Sequence, residues 1–224
     1  MLENIYQSNN FEVWQRCQKQ YWFKYIKKLA FFDSKEKYDL GRNIHSLIFY
    51  KIKGFDISKI ENSLDEKTLY HWNYIKNHQI FANKNILAEW GFNVPLKNKY
   101  WLIGRIDAIF YDKNRNKYII ADWKTAQQLP KSPDKNFQAL MYMYCFFKAR
   151  HDLNLEFQPE DLEFQFISTN EKEGIELINC SKQLLDNAEN LFIDTIEEIN
   201  TCTNFAQNKG KECQNCPYLS ICES

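Results

Sequence analysis

The chain reads as an α/β protein, in which helices, a central block of strands and further helices make an α/β/α sandwich around a small mixed sheet. Three observations predict it. Apolar residues recur at three- and four-residue steps over residues 11–29 and 38–52, the period of a helix with one buried face. From Ile86 to Lys124 the chain turns rich in Ile, Val, Phe, Tyr and Trp with alternation in places, as half-buried strands do. Helical spacing returns after Pro130 and Pro133.

In the first helix Trp14, Cys17, Tyr21, Tyr25 and Leu29 form the stripe, with Ser8 or Asn10 at the start as capping residues. The second carries Leu40, Ile44, Leu47 and Ile48, with His45 beside them, and a less regular third covers 65–82. Strands follow at Ile86–Leu96, Tyr100–Tyr111 and Lys117–Lys124. The polar link Asp112–Asn116 joins the last two as an antiparallel hairpin. A helix over 134–150, strands over 161–169 and 174–179 and a long helix over 181–201 complete the series. The organisation is one domain, 1–224: a helical part over 1–82, a core over 83–180, and a closing helix with a Cys-rich tail over 181–224.

The length of 224 residues allows one substantial core, and 16% aromatic residues make it ring-rich. Lys and Arg number 29, as do Asp and Glu, so the chain is not a strongly basic, non-specific nucleic-acid binder. No apolar run is long enough to span a bilayer, and the start Met1–Ile5 lacks a basic or hydrophobic leader. The expectation is therefore a cytoplasmic protein with no membrane association. Seven Cys, an odd number, fit a metal or cluster site better than a disulfide framework. Cys213, Cys216 and Cys222 crowd the tail, while Cys145, Cys180 and Cys202 lie on or beside apolar runs where packing accounts for them.

The chemistry concentrates on the strands. Asp122 and Lys124 are i and i+2 and so share a face, with Trp123 turned to the other. A hairpin brings Asp107 beside Asp122. Two adjacent carboxylates repel unless a cation neutralises them, and a hard ion such as Mg2+ suits oxygen ligands. Alone, Asp122 and Lys124 are also what a surface ion pair on a half-exposed strand looks like, worth at most about 1 kcal/mol. Glu89, on the strand before Asp107, can add a ligand or face solvent, and the solvent-facing reading is the simpler one. Lys19, Lys24, Lys27, Lys28 and Arg16 interleave with Tyr21, Trp22 and Tyr25, which suits phosphate contact and base stacking but equally a solvated helix over an aromatic core. Lys131 and Lys135 follow the strand that carries Asp122 and Lys124, where a solvated loop is the plain reading.

Gly104–Asp107 followed by Tyr118–Thr125 resembles the core of the PD-(D/E)XK nucleases, specifically the RecB-like branch. Gly41 through His45 is similar to that branch's Gly-x-x-x-His pattern, and Gln138 with Tyr142 to its Gln-x-x-x-Tyr helix, one turn apart on one face. An early Cys17 and the triad Cys213, Cys216 and Cys222, with Pro217 after the second triad member, resemble the cluster ligands of CRISPR-associated RecB-like exonucleases and of AddB-type domains.

The resemblance implies a restriction-endonuclease-like core and metal-dependent hydrolysis of DNA, exonucleolytic on single strands or free ends. It implies His45, Asp107, Asp122 and the Trp123 carbonyl as ligands of Mg2+ or Mn2+, and Lys124 as the catalytic lysine. Gln138 and Tyr142 would line the site. Cys17, Cys213, Cys216 and Cys222 would hold a [4Fe-4S] cluster, with Zn2+ as the alternative. A CRISPR integrase complex is an implied partner, and a homo-oligomer is compatible. A catalytically idle DNA-binding module and a restriction-type endonuclease are the competing functions.

Overall fold

The structure is a computed structural model that describes residues 4–30, 35–83, 85–126, 128–130, 132–170 and 174–222. Lys131 lies outside them. Strand β1 (Ile5–Tyr6) leads into α1 (Ser8–Arg16), α2 (Gln18–Tyr21) and a π-helical turn (Trp22–Ile26). Helices α3 (Lys35–Ile52), α4 (Ser58–Glu61) and α5 (Glu66–Ile75) follow. Then come β2 (Leu87–Leu96), β3 (Tyr100–Asp112), β4 (Lys117–Lys124), α6 (Phe137–Ala149), β5 (Leu162–Ser168), β6 (Ile175–Asn179), α7 (Lys182–Thr201) and α8 (Leu219–Cys222).

The predicted continuous helix over 11–29 is interrupted. Cys17 is extended (φ −165°, ψ 113°) and separates α1 from α2. The Asn10 side chain accepts the Gln7 N–H at 2.6 Å, closing the start of α1. The helix expected over 65–82 stops at Ile75 and resumes only as a 3-10 turn, Gln79–Ala82.

Six strands form one mixed sheet, in the order β1-β3-β4-β5-β6, with β2 also on β3. Strand β3 pairs antiparallel with β2 along its length and with β4 from Ala108↔Ala121 to Asp112↔Lys117. The parallel pair β4–β5 needs a crossover, which α6 supplies. One core joins α1, α6 and α7 to the sheet through Phe11, Phe137, Tyr144, Phe164 and Phe192. The other joins α3 and α5 to the opposite face through Ile44, Ile48, Trp72, Ala121 and Trp123. The layers are therefore α/β/α, as the sequence predicts. Strand β1 is unanticipated: two residues, parallel to β3 at Ile5↔Trp101 and Tyr6↔Leu102, carry too little pattern to read.

Gly104 has a packing reason. The Phe92 ring, from the paired position on β2, would stand 2.5 Å from a Cβ there.

Candidate active site

The β3–β4 ladder ends at Ala108↔Ala121, one position before Asp107 and Asp122. The Trp123 N–H thus needs an acceptor other than β3 backbone. Asp107 Oδ2 supplies it at 3.0 Å. The other oxygen, Oδ1, lies 3.3 Å from His45 Nδ1, and His45 Nε2 lies 3.1 Å from the Trp123 carbonyl. Helix α3 is thereby tied to the splayed end of β4 by one imidazole.

Asp122 and Lys124 share the α6 side of β4, while Trp123 packs in the α3–α5 core near His78 and Phe81. The Asn136 side chain accepts from Gln138 N at 2.9 Å and Ala139 N at 3.1 Å, an N-cap that sets Gln138 in the first turn of α6. From there the Gln138 amide reaches both ways. Its Nε2 donates to Asp122 Oδ1 at 2.8 Å and to the Tyr142 hydroxyl at 3.2 Å, and its Oε1 accepts Lys124 Nζ at 2.7 Å.

Lys124 Nζ also stands 2.7 Å from Asp122 Oδ2. That ion pair meets the buried Oδ2 and pulls Asp122 toward its charged form. A buried carboxylate holds its charge only where a cation faces it, and Lys124 supplies one here. Burial, then the Asp107 charge, push Asp122 up to about 6, against the pull of Lys124 and His45. Burial opposes the charged form of His45, but its hydrogen bond to Asp107 and the two carboxylates outweigh it, raising the imidazole to about 9. Burial and the Asp122 charge raise Tyr142 well above a free phenol, so it stays protonated.

Glu89 does not simply face solvent, contrary to the sequence reading. Its carboxylate and ligand atoms of His45 and Asp107 all lie within 4.8 Å of one another, a group able to hold a metal ion. The β2–β3 ladder skips the Glu89–Asp107 position, and Glu89 has φ +55°, which re-aims its side chain. Arg105 Nε pairs with it at 2.7 Å. A positive φ inside a strand leaves no trace in residue type, so the sequence could not reveal this turn. Glu12 was missed too. On α1, its burial raises its pKa against the pull of the nearby Lys124, Arg16 and Lys24.

The expected cysteine set also converges. Cys17, Cys213, Cys216 and Cys222 line one cavity of about 210 Å3. The break at Cys17 sets its thiol there, and burial together with the neighbouring Cys17, Cys216 and Cys213 raises the Cys222 thiol. The tail docks by ordinary bonds as well. Lys19 N donates to Ala206 O at 2.9 Å, Asn208 Nδ2 to Arg16 O at 2.8 Å and Tyr218 OH to Leu29 O at 2.8 Å. Cys145 and Cys180 are core residues. In the basic stretch Tyr21 is buried, and Lys19 and Lys27 lie 4.3 and 4.9 Å from the centre of the Trp22 ring.

The sequence profile of the PD-(D/E)XK nuclease superfamily matches residues 66–223. The chain belongs to that superfamily. It is accordingly a nuclease, a phosphodiester hydrolase of a class that works with divalent metal ions. Among solved structures, one called "Putative exonuclease", from Eubacterium rectale, aligns at TM-score 0.53 and 11% identity, over 96% of this chain and 86% of that one. Another, SSO0001, aligns at TM-score 0.47 and 17% identity, over 99% and 87%. The first likeness is one of fold. No curated protein matches the chain.

Proposed function

We propose that the chain is a DNA exonuclease acting on single strands or free ends, with its active centre at the splayed end of β3 and β4. The observation that carries this reading is the linked set at the splayed strand ends, with His45 on Asp107, and Lys124 and Gln138 on the buried Asp122. Asp107, Asp122, His45 and the Trp123 carbonyl would hold Mg2+ or Mn2+, and Glu89 adds a further oxygen donor within reach. Four oxygens and one imidazole are a donor set suited to such hard ions. When bound, such an ion would polarise the scissile phosphate and lower the pKa of its water.

The protein's own part is positioning. Gln138 holds the Lys124 ammonium toward the site, where it stabilises charge developing on the phosphate. Tyr142 fixes the Gln138 amide and keeps its proton. His45 must surrender its extra proton to act as a ligand, since a metal-bound imidazole is neutral. The sequence motifs and the solved structure called an exonuclease favour end-directed cleavage over cutting at fixed sites. Labelled single- and double-stranded DNA incubated with Mn2+ tests this: progressive shortening of single strands supports it, and discrete fragments from duplex contradict it.

We further propose that Cys17, Cys213, Cys216 and Cys222 carry a [4Fe-4S] cluster. One distant Cys plus a triad is unlike the two close pairs usual for zinc, and four thiolates around one cavity fit either metal centre. Its role is a staple that joins the first helix to the last residues. The CRISPR-associated affiliation and an integrase partner rest on this cysteine arrangement, and neighbouring adaptation genes are the observation that tests them.

A further inference from the structure

A cavity of about 530 Å3 opens directly beside His45 and Glu89 and is lined further by Arg42, Phe49, Tyr50 and Arg105. Its size suits a small ligand or one unit of a polymer. Its chemistry is mixed in a particular way: two arginines, two aromatic rings and the edge of the acidic centre. The Arg42 and Arg105 side chains are both 71% exposed, each with one carboxylate partner, Asp39 and Glu89.

The rings continue outward from the cavity. Phe49 and Tyr50 stand 5.8 Å apart, and Tyr50 and Phe55 5.9 Å apart, edge to face. This array is held by the way α3 ends. Gly54 adopts φ +75°, its N–H bonds Lys51 O at 3.0 Å, and Phe55 N–H bonds Tyr50 O at 3.0 Å. That pattern is a Schellman motif, which brings the residue after the glycine against the last turn of the helix. The motif accounts for the Tyr50–Phe55 contact. It does not account for the exposure of the two rings, 39% for Tyr50 and 61% for Phe55, at the mouth of a cavity that His45 and Glu89 line.

We infer that Tyr50 and Phe55, with Phe49 behind them, are a base-stacking platform for single-stranded nucleic acid entering the metal centre, and that Arg42 and Arg105 hold its phosphates. The inference rests on the nuclease reading above and adds the residues that hold its strand. Rigid rings lose little entropy on binding, and every unpaired base offers a face to them. A duplex does not, because its bases are already stacked on one another. The flanking arginines answer the charge of the strand.

The test is fluorescence anisotropy with a labelled single-stranded oligodeoxynucleotide, the same strand made abasic at its terminal nucleotides, and a blunt duplex. All are measured with Mg2+ in an Asp122→Asn background that blocks cleavage. Tyr50→Ala and Phe55→Ala should each weaken the intact strand about tenfold, a size typical of one stacked base. They should leave the abasic strand and the duplex unchanged, and Tyr50→Phe should restore binding. Arg42→Gln should flatten the salt dependence by roughly 0.7 in logarithmic slope. Equal binding of intact and abasic strands, unaffected by either alanine, overturns the platform and leaves the nuclease standing. Should the wild type cleave no nucleic acid, the nuclease reading fails, and the abasic comparison still decides whether the rings take bases. Both alanine variants remove exposed rings, so unchanged circular dichroism is expected.

Discussion

Gln138 accepts the Lys124 ammonium on its side-chain oxygen at 2.7 Å, and this bond anchors the lysine to the first turn of α6 as well as to Asp122 on its own strand. Because the same amide donates to Asp122, lysine and carboxylate are held by one planar group. Replacing it should uncouple them. Gln138→Ala is expected to lower the turnover rate 10- to 100-fold with little change in KM, since the lost effect is positioning at the reacting phosphate. Gln138→Glu keeps the acceptor but sets a third carboxylate against Asp122, and should be worse than alanine. Steady-state kinetics on a labelled strand checks both. A Gln138→Ala enzyme at the wild-type rate would remove Gln138 from the site.

In the proposed site protons and a metal ion would compete for the same residues. Asp122 holds its proton up to about 6 in the folded chain, above the ordinary carboxylate value near 4. Its contribution is therefore full below about pH 4 and lost as pH rises through 6. His45 is raised to about 9, so its contribution is full below about pH 6.5 and lost as pH rises through 9. Both run in one direction: the metal-free protein should lose stability from acid to alkaline pH. Mn2+ replaces those protons, so its stabilisation should be larger at pH 8.5 than at pH 5. Thermal melts with EDTA and with saturating Mn2+ at the two pH values measure this. An equal shift at both would contradict the linkage.

Much of the fold was legible because strand and helix periods are clear in an apolar-rich chain. The run Tyr118–Lys124 showed a strand with Asp122 and Lys124 on one face, and both meet Gln138 on α6. The hairpin reading brought Asp107 to Asp122 correctly. What stayed hidden depends on backbone detail or on packing between distant segments. Cys17 sits in a helical stripe by spacing, yet its backbone is extended. Glu89 meets His45 and Asp107 because of a left-handed residue inside a strand, and Glu12 comes near enough to feel the Lys124 charge because α1 packs on α6 through Phe11 and Phe137, 5.4 Å apart.

Glu89 carries a separate prediction. As a carboxylate within 4.8 Å of the His45 and Asp107 ligand atoms, it should strengthen metal binding without being needed for the fold. Glu89→Gln keeps the shape and removes the charge. Calorimetric titration of Mn2+ should show affinity reduced about 10- to 100-fold, with the melting temperature of the metal-free protein unchanged or raised. Unaltered affinity would return Glu89 to a partner of Arg105 alone.

The cysteine staple is tested by colour and metal content. Cys216→Ser should give colourless protein with little bound iron and a lower melting temperature, because the loop between the first helix and the tail is no longer closed by the cofactor. Cys202→Ser, outside the four-thiol cavity, should keep both. Elemental analysis separates iron from zinc. A Cys216→Ser protein that keeps full colour and stability would end the cluster proposal.

The most direct test of the central claim is the cleavage rate of Asp122→Asn beside wild type, on labelled single-stranded DNA with Mn2+. Asparagine keeps the size of the side chain and the Gln138 contact but removes the buried charge that pairs with Lys124 and that the proposal assigns to the metal ion. The account predicts metal-dependent cleavage by wild type, abolished by EDTA, and a loss of at least about a thousandfold in the variant with its fold intact. Cleavage by Asp122→Asn at the wild-type rate would contradict it.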